Sequence, residues 1–301
     1  MLASMPAATG AGVAISDQEF RLIQTLVKTH TGIALSDHKR SLLVSRLGKR
    51  LRALGIESFR RYYDYLTGED GGTEIEQFVN AITTNKTDFY RERAHFDFLG
   101  RNVLDEMKTR ALQTGNRRIR IWSAGCSTGE EPYTIAITLR ESLGSLLTWD
   151  VRILASDIDT QVLAQAKNGI YAADRVAEVP PPILHAYFLK GSGASAGSVK
   201  VSKEIQSLVT FRQINFLEEG WPIHTRFDCI FCRNVIIYFD KPTQGRLMER
   251  FADLLQDDGY LFLGHSESMH GICDRFSFLQ NTVYRKKAGG NTSSRSAGEC
   301  A

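Results

Sequence analysis

Near Gly115 the sequence changes from segments that are helical throughout to segments in which short strands and helices alternate. Strands are predicted over 119–122, 151–155, 208–213, 229–231 and 260–264, with helices over 133–143 and 157–166. Such alternation predicts a mostly parallel, doubly wound α/β sheet with helices on both faces. A final pair of strands, over 276–279 and 282–285, predicts an antiparallel edge.

The segment before this sheet, residues 16–84, is predicted to be a small all-helical domain. Ser16 followed by Glu19 is typical of a capping box at a helix start, and apolar residues then recur at helical spacing. Gly32 and Gly55 are predicted to end the first two of four helices. Residues 85–114 are interpreted as a linker and connecting helix, and 115–287 as the sheet-containing domain.

Residues 170–210 interrupt the alternation and are predicted to form an inserted β-subdomain. Apolar and alternating runs flank a Gly/Ser-rich turn over 191–197, which is a hairpin pattern. The short strands would leave an open sheet edge, at which we place Val201. Such an edge can accept an extended peptide as an added strand, or the hairpin can simply cover the site.

Composition excludes several classes of protein. No apolar run approaches the roughly 20 residues that span a bilayer. The ends, 1–15 and 288–301, are interpreted as disordered tails. Five cysteines at irregular spacing indicate a reducing cytosol rather than a disulfide framework. Cys229 and Cys232 lie in an apolar run without a second ligand pair, so we interpret them as core thiols and predict no metal site.

Positive charge is concentrated on the second predicted helix. Its basic residues, which lie beside an apolar stripe, are Lys39, Arg46, Lys49, Arg50 and Arg52. Such a patch favours an acidic partner, although a merely solvated helix face would show the same pattern.

Polar residues follow four successive strands of the predicted sheet. The first loop, 123–129, lacks the pattern of phosphate-binding loops, and the acids Glu130 and Glu131 follow it. A ligand with an amine and ribose hydroxyls but no phosphate suits these acids, and S-adenosylmethionine is such a ligand. Asp157, Asn215–Phe216 and Arg233–Asn234 end the next strands. Each alone could be a helix cap or polar loop, but together they predict a ligand site.

Over residues 16–286 the sequence resembles the chemotaxis receptor methyltransferase (CheR) family. The strings that carry the resemblance are TTNKTDFYRE (83–92), WSAGCSTGEEPYTIAI (122–137), ASDIDTQVLAQAKNGIY (155–171), FCRNVIIYFDK (231–241) and DDGYLFLGHSES (257–268). The resemblance implies a class I methyltransferase (Rossmann-like) domain with a helical N-terminal domain and an inserted β-subdomain.

The resemblance also implies roles for individual residues. Matched position by position, the contacts to S-adenosylmethionine, whose product is S-adenosylhomocysteine, are Asn85, Thr87, Arg91, Glu131, Asp157, Asn215, Phe216, Arg233 and Asn234. Arg91 and Tyr238 match the catalytic centre. The basic helix would read receptor helices that carry the target glutamates, and the β-subdomain would hold a receptor C-terminal tail.

The expected reaction is therefore methyl esterification of receptor glutamates, by a monomer in the cytoplasm. A glutamate carboxylate is ionised at neutral pH, so no general base is needed and alignment supplies most of the acceleration.

Three competing functions make different demands on the sequence. A nucleic-acid methyltransferase would carry a proline-containing loop where this chain reads CRNVIIYF. A receptor-binding adaptor would lack the catalytic residues, and a hydrolase based on GHSES would need a second glycine.

Overall fold

The computed structural model describes residues 13–288, except the side chain of Asp70, so most of both predicted tails lies outside the described residues. The chain divides into two compact units between Thr84 and Asn85. Among the helices of the described part, none has the length and apolar character needed to cross a membrane.

Residues 13–84 of the first unit contain four α-helices: α1 (Asp17–Thr31), α2 (Arg40–Leu54), α3 (Phe59–Thr67) and α4 (Gly72–Ile82). The predicted capping box is confirmed, because Ser16 and Glu19 bond each other's backbone N–H groups. Gly32 and Gly55 end α1 and α2 in the left-handed conformation, which glycine adopts without steric cost. Apolar faces of the four helices form the core, including Ile23, Leu47, Leu51, Phe59, Tyr62 and Phe78.

Within residues 85–288, the second unit is built on a seven-stranded sheet. Its strands are β1 (Arg118–Ala124), β2 (Asp150–Asp157), β6 (Val209–Gln213), β7 (Phe227–Cys232), β8 (Leu255–Leu263), β9 (Phe276–Gln280) and β10 (Val283–Lys286). They lie in the order β6-β2-β1-β7-β8-β10-β9. The adjacent strands β6, β2, β1, β7 and β8 pair in parallel, and β10 pairs antiparallel with β8 and β9. The predicted α/β fold and antiparallel edge are confirmed.

The helices of the second unit connect or flank these strands: α5 (Ala94–Phe98), α6 (Leu104–Thr114), α7 (Glu130–Leu143), α8 (Thr160–Asn168), α9 (Pro181–Tyr187), α10 (Lys203–Gln206) and α11 (Lys241–Leu254). A π-helical turn, Leu99–Val103, joins α5 to α6. Residues 85–114, interpreted above as a linker, place Phe96, Leu99 and Leu104 in the core of this unit.

One helix begins later than the sequence pattern suggests. Asp157 is the last residue of β2, in register with Gln213 of β6, whereas the prediction starts a helix there. The structure places the helix cap at Asp159, whose side chain accepts hydrogen bonds from the N–H groups of Gln161 and Val162. Asp157 therefore lies at the carboxyl end of β2 rather than within the helix.

The inserted β-subdomain is a three-stranded antiparallel sheet in the order β3-β5-β4, rather than a lone hairpin. Its strands are β3 (Ile170–Ala172), β4 (Phe188–Lys190) and β5 (Ser198–Val201). Our placement of Val201 at an edge is wrong, because β5 pairs on both sides and buries Val201 completely. The edge strands of this small sheet are β3 and β4.

Candidate active site at the carboxyl ends of the parallel strands

The site lies where the strand order reverses. From β1 the chain proceeds to β2 and β6 on one side, whereas β7 is followed by β8 on the other. Right-handed crossovers then send the loops after β1 and β7 to opposite faces, which opens a crevice between them. The residues predicted from successive strand ends surround this crevice.

The loops after β1 and β7 pack closely across the crevice. Gly125 has φ 88°, and a Cβ there would lie 2.4 Å from Cγ2 of Val235. Gly264, after β8, faces the same loop, since a Cβ would lie 2.4 Å from Nδ2 of Asn234. Glycine is therefore required at both positions for the loops to approach each other.

Asp157 is held at the end of β2 by the neighbouring loops. Its carboxylate accepts hydrogen bonds from the N–H of Ser127 at 2.8 Å and of Asp159 at 3.0 Å. Burial raises the pKa of Asp157 to about 6. A carboxylate offers about four acceptor positions, so capacity remains for ligand hydroxyls.

The segment that begins at Asn85 lies along the same loops. Asn85 donates to Oδ2 of Asp159 at 2.8 Å, and its carbonyl accepts the hydroxyl of Ser127 at 2.9 Å. Thr87 is buried, and its carbonyl accepts from Arg175. Asn85 and Thr87, far from Asp157 in sequence, are thus brought to the same end of the sheet.

Arg233 is a buried cation between two carboxylates. It pairs with Glu131 at 3.1 Å and with Glu92 at 2.9 Å, and it also donates to the carbonyl of Arg91. The hydroxyl of Ser123 donates to Glu131 at 2.7 Å. Burial raises the pKa of Glu131, while Arg233 opposes the shift. Two predicted ligand residues, Glu131 and Arg233, are therefore partners of each other.

Glu267 holds the loop after β7 in place. Its carboxylate accepts backbone N–H groups of Asn234 and Val235, each at 2.8 Å, of Gly264 at 2.6 Å and of Ile237 at 3.3 Å. Glu267 is 4% exposed. This contact also stabilises the left-handed backbone of Asn234, φ 58°, a strain of the kind that concentrates in functional sites.

The remaining predicted residues lie at the margins of the crevice. Asn215 and Phe216 follow β6, and the ring of Phe216 contacts Trp122, Trp221, Phe239 and Phe251. Arg91 is half-buried and donates to the carbonyl of Lys86 at 2.7 Å. Tyr238, also half-buried, ends the short helical turn Ile236–Tyr238 in the loop held by Glu267.

The basic residues of α2 differ in their surroundings within the first unit. Arg46 donates to the carbonyls of Ile82 and Thr83, at 2.8 and 2.6 Å, at the end of α4. Arg50 forms a bidentate ion pair with Glu74, in which Nε donates to Oε1 at 2.9 Å and Nη2 donates to Oε2 at 2.6 Å. Both side chains therefore stabilise the helical unit itself, which sequence pattern does not reveal. Lys39 is half-buried, whereas Lys49 and Arg52 are exposed.

Sequence reasoning missed Glu92 and Glu267, although both lie in strings that carry the family resemblance. Glu92 follows Arg91 directly, and Glu267 lies in GHSES, whose pattern suggests either a hydrolase motif or a strand end and a loop over the cofactor. Glu92 lies 141 residues from its partner Arg233, and Glu267 lies 33 residues from Asn234. Local pattern therefore carried no signal for either contact.

Comparison with known proteins gives matches across both units. The family described as "CheR methyltransferase, SAM binding domain" matches residues 85–285, and "CheR methyltransferase, all-alpha domain" matches residues 18–83. The chain is 47% identical to chemotaxis protein methyltransferase 2 of Pseudomonas aeruginosa, covering 89% of this chain and 92% of the relative. It is 43% identical to the chemotaxis protein methyltransferase of Salmonella typhimurium, covering 90% and 91%.

Proposed function

Because the chain belongs to the CheR methyltransferase family, we propose that it methylates glutamate side chains of bacterial chemotaxis receptors, forming methyl esters for sensory adaptation. The observation that carries the proposal is that relatives named chemotaxis protein methyltransferases align with both units of this chain. The partners would be the cytoplasmic helices of those receptors, and the enzyme would act there as a monomer.

The cofactor is S-adenosylmethionine, and the residues at the strand ends fit it. Buried carboxylates, Glu131 and Asp157, suit an amine and ribose hydroxyls and would repel phosphates. Glycine at position 125 lets the loop after β1 approach the side chain of Val235 closely. We propose that Asp157 accepts from the ribose hydroxyls, with Asn85, Thr87, Asn215, Phe216, Arg233 and Asn234 as further contacts.

The chemistry requires little of the protein beyond alignment. When bound, the cofactor supplies an electrophilic methyl group on a sulfonium. Arg91 orients the incoming carboxylate, and the hydroxyl of Tyr238 donates to one of its oxygens, so that the other oxygen points along the line of displacement. Orientation of this kind is worth up to about 7–11 kcal/mol, and no proton has to be removed from an ionised glutamate.

The direct test is incubation with labelled S-adenosylmethionine and receptor fragments that contain candidate methylation helices. We expect label that mild alkali releases, because methyl esters hydrolyse and N-methyl groups do not. Alkali-stable label would overturn the glutamate assignment.

The role of Tyr238 is tested by Tyr238→Phe. This change should lower kcat by about 10- to 100-fold with cofactor affinity unchanged, the rate equivalent of one hydrogen bond to a charged group. Tyr260→Phe, whose hydroxyl pairs with Glu106 elsewhere in the unit, is the control. Full turnover of Tyr238→Phe would remove this residue from the mechanism.

Recognition of the receptor helix is proposed to depend on the exposed cations of α2. Reversing Lys49 and Arg52 together to Glu should lower kcat/KM for receptor fragments about 10-fold at low salt, and less at high salt. Thermal stability should not change, because both side chains are exposed. The matched control reverses Arg60 and Arg61, exposed residues of α3. An equal loss in this control would show that net charge, rather than the surface of α2, is responsible.

A receptor-tail tether at the β-subdomain is a separate proposal. Because Val201 is buried in the central strand β5, the test uses the edge strand β4. The N–H of Gly191 donates to Ser198, so alternation along β4 directs the N–H of Lys190 away from β5. Lys190→Pro should abolish binding of a tail peptide and spare methylation of a tail-less fragment, whereas Lys190→Ala retains both. Normal tail binding by the proline variant, or no binding by the wild type, would contradict the tether.

A further inference from the structure

Three side chains with metal-ligating atoms meet beside the active-site crevice without any role in the proposed reaction. Within residues 13–288, Glu92, His95 and His265 form the one group of His, Cys, Asp or Glu whose ligand atoms all lie within 4.8 Å of one another. They come from the segment before α5, from α5 and from the loop after β8. All three belong to the second unit.

His95 presents a lone pair to this cluster. Its ring is fully buried, and Nε2 lies 2.5 Å from the carbonyl oxygen of Asn281, so Nε2 carries the proton and donates it. Nδ1 then has an unprotonated lone pair that is buried and has no hydrogen-bond partner. It lies 3.6 Å from Oε2 of Glu92, close to the separation of two ligands on one tetrahedral ion.

The proton on Nε2 leaves Nδ1 as the nitrogen of His95 that can bind a metal ion. A ring N–H donated to a backbone carbonyl is the arrangement that orients histidine ligands in metalloproteins. The contact with Asn281 is of this kind.

His265 and Glu92 complete the site from the solvent side. The backbone N–H of His265 donates to Oε1 of Glu92 at 3.2 Å, and its ring lies 5.1 Å from the ring of His95 between centroids. His265 is exposed, so water can occupy the remaining coordination positions. Arg233 is the nearby opposing charge, and Glu92 shares it with Glu131.

We propose that Glu92, His95 and His265 form a binding site for a divalent first-row transition ion such as Zn²⁺. Two imidazoles and one carboxylate are a ligand set that such ions favour over Mg²⁺ or Ca²⁺. Binding requires Glu92 to share its carboxylate between the ion and Arg233. The site stands on its own geometry and does not depend on which substrate is methylated.

The test is calorimetric titration of the untagged, full-length protein with Zn²⁺ at neutral pH. We expect a saturable 1:1 complex that His265→Gln weakens by at least about 10-fold, since even partners that only orient a ligand contribute 10–100-fold. His270→Gln, an exposed histidine five residues further on, is the matched control and should bind as the wild type does. Equal affinity in the wild type and His265→Gln, or no saturable binding, would overturn the proposal.

Absorption of a Co²⁺ complex provides a second readout that is independent of activity. Visible bands of Co²⁺ in nitrogen and oxygen ligation should appear in the wild type and be lost in His265→Gln. A thiolate-to-metal band would instead place the ion on a cysteine and contradict the site.

Discussion

Replacing Glu267 by Gln is expected to lower the free energy of unfolding by about 2–4 kcal/mol and to slow methyl transfer at least about 10-fold. The amide nitrogen of Gln cannot accept a hydrogen bond, so whichever way it is oriented it leaves some of the four backbone N–H groups unpaired. Each unpaired buried N–H costs about 1–3 kcal/mol. The loop that carries Asn234 and Tyr238 would consequently shift.

Urea denaturation and initial rates at saturating cofactor measure the two effects of Glu267→Gln. Glu218→Gln is the control, because Glu218 is exposed. A surface change of this kind is usually within about 0.5 kcal/mol. Unchanged kcat in a measurably destabilised Glu267→Gln would show that this carboxylate supports the fold without positioning the catalytic loop.

Replacing Arg233 by Ala is expected to cost about 3–5 kcal/mol of stability at neutral pH, because it removes the cation between two partly or fully buried carboxylates. Arg226→Ala is the matched control, since Arg226 is exposed and its nearest acid, Asp257, is 3.8 Å away. We expect that control to change stability by less than about 0.5 kcal/mol.

The loss of stability in Arg233→Ala should be larger at high pH than at low pH. Burial already raises the pKa of Glu131, and removing Arg233 takes away the charge that opposes this shift. Above the usual pKa of glutamate the folded variant then binds more protons than the unfolded chain, so its stability falls as pH rises. Denaturation at pH 5 and pH 8 should show the larger deficit at pH 8. An equal deficit at both pH values would exclude Glu131 as the cause.

Local pattern was sufficient for the strands of the main sheet, for the helices of the first unit and for the edge of the sheet at which the candidate site lies. Strand and helix periods, the capping box at Ser16 and the left-handed glycines are decided by residues close to one another in sequence. Because parallel strands present their carboxyl ends at one edge, Glu131, Asp157 and Arg233 could be assigned to one crevice from sequence.

Local pattern was insufficient wherever a residue type fits two different positions in the fold. Asp157 and Asp159 are equally good helix caps, and only pairing of β2 with β6 decided that Asp157 ends the strand. Val201 fits an edge or a central strand, and the choice depended on β3, which lies on the far side of β4 in the sequence. Arg50 has the polarity of a surface residue, yet Glu74 pairs with it within the helical unit.

The sequence by itself determined the order of the main sheet's strands along the chain, the family and the chemical type of the residues at the strand ends. Only the tertiary structure decided which of those residues bond each other. It placed Arg233 between Glu92 and Glu131, Glu267 under the loop of Asn234, and Nδ1 of His95 beside Glu92. The physical reason is that hydrogen bonds and ion pairs act over about 3–4 Å, whereas Glu92 and His265 lie 173 residues apart, and no short-range pattern encodes strand order.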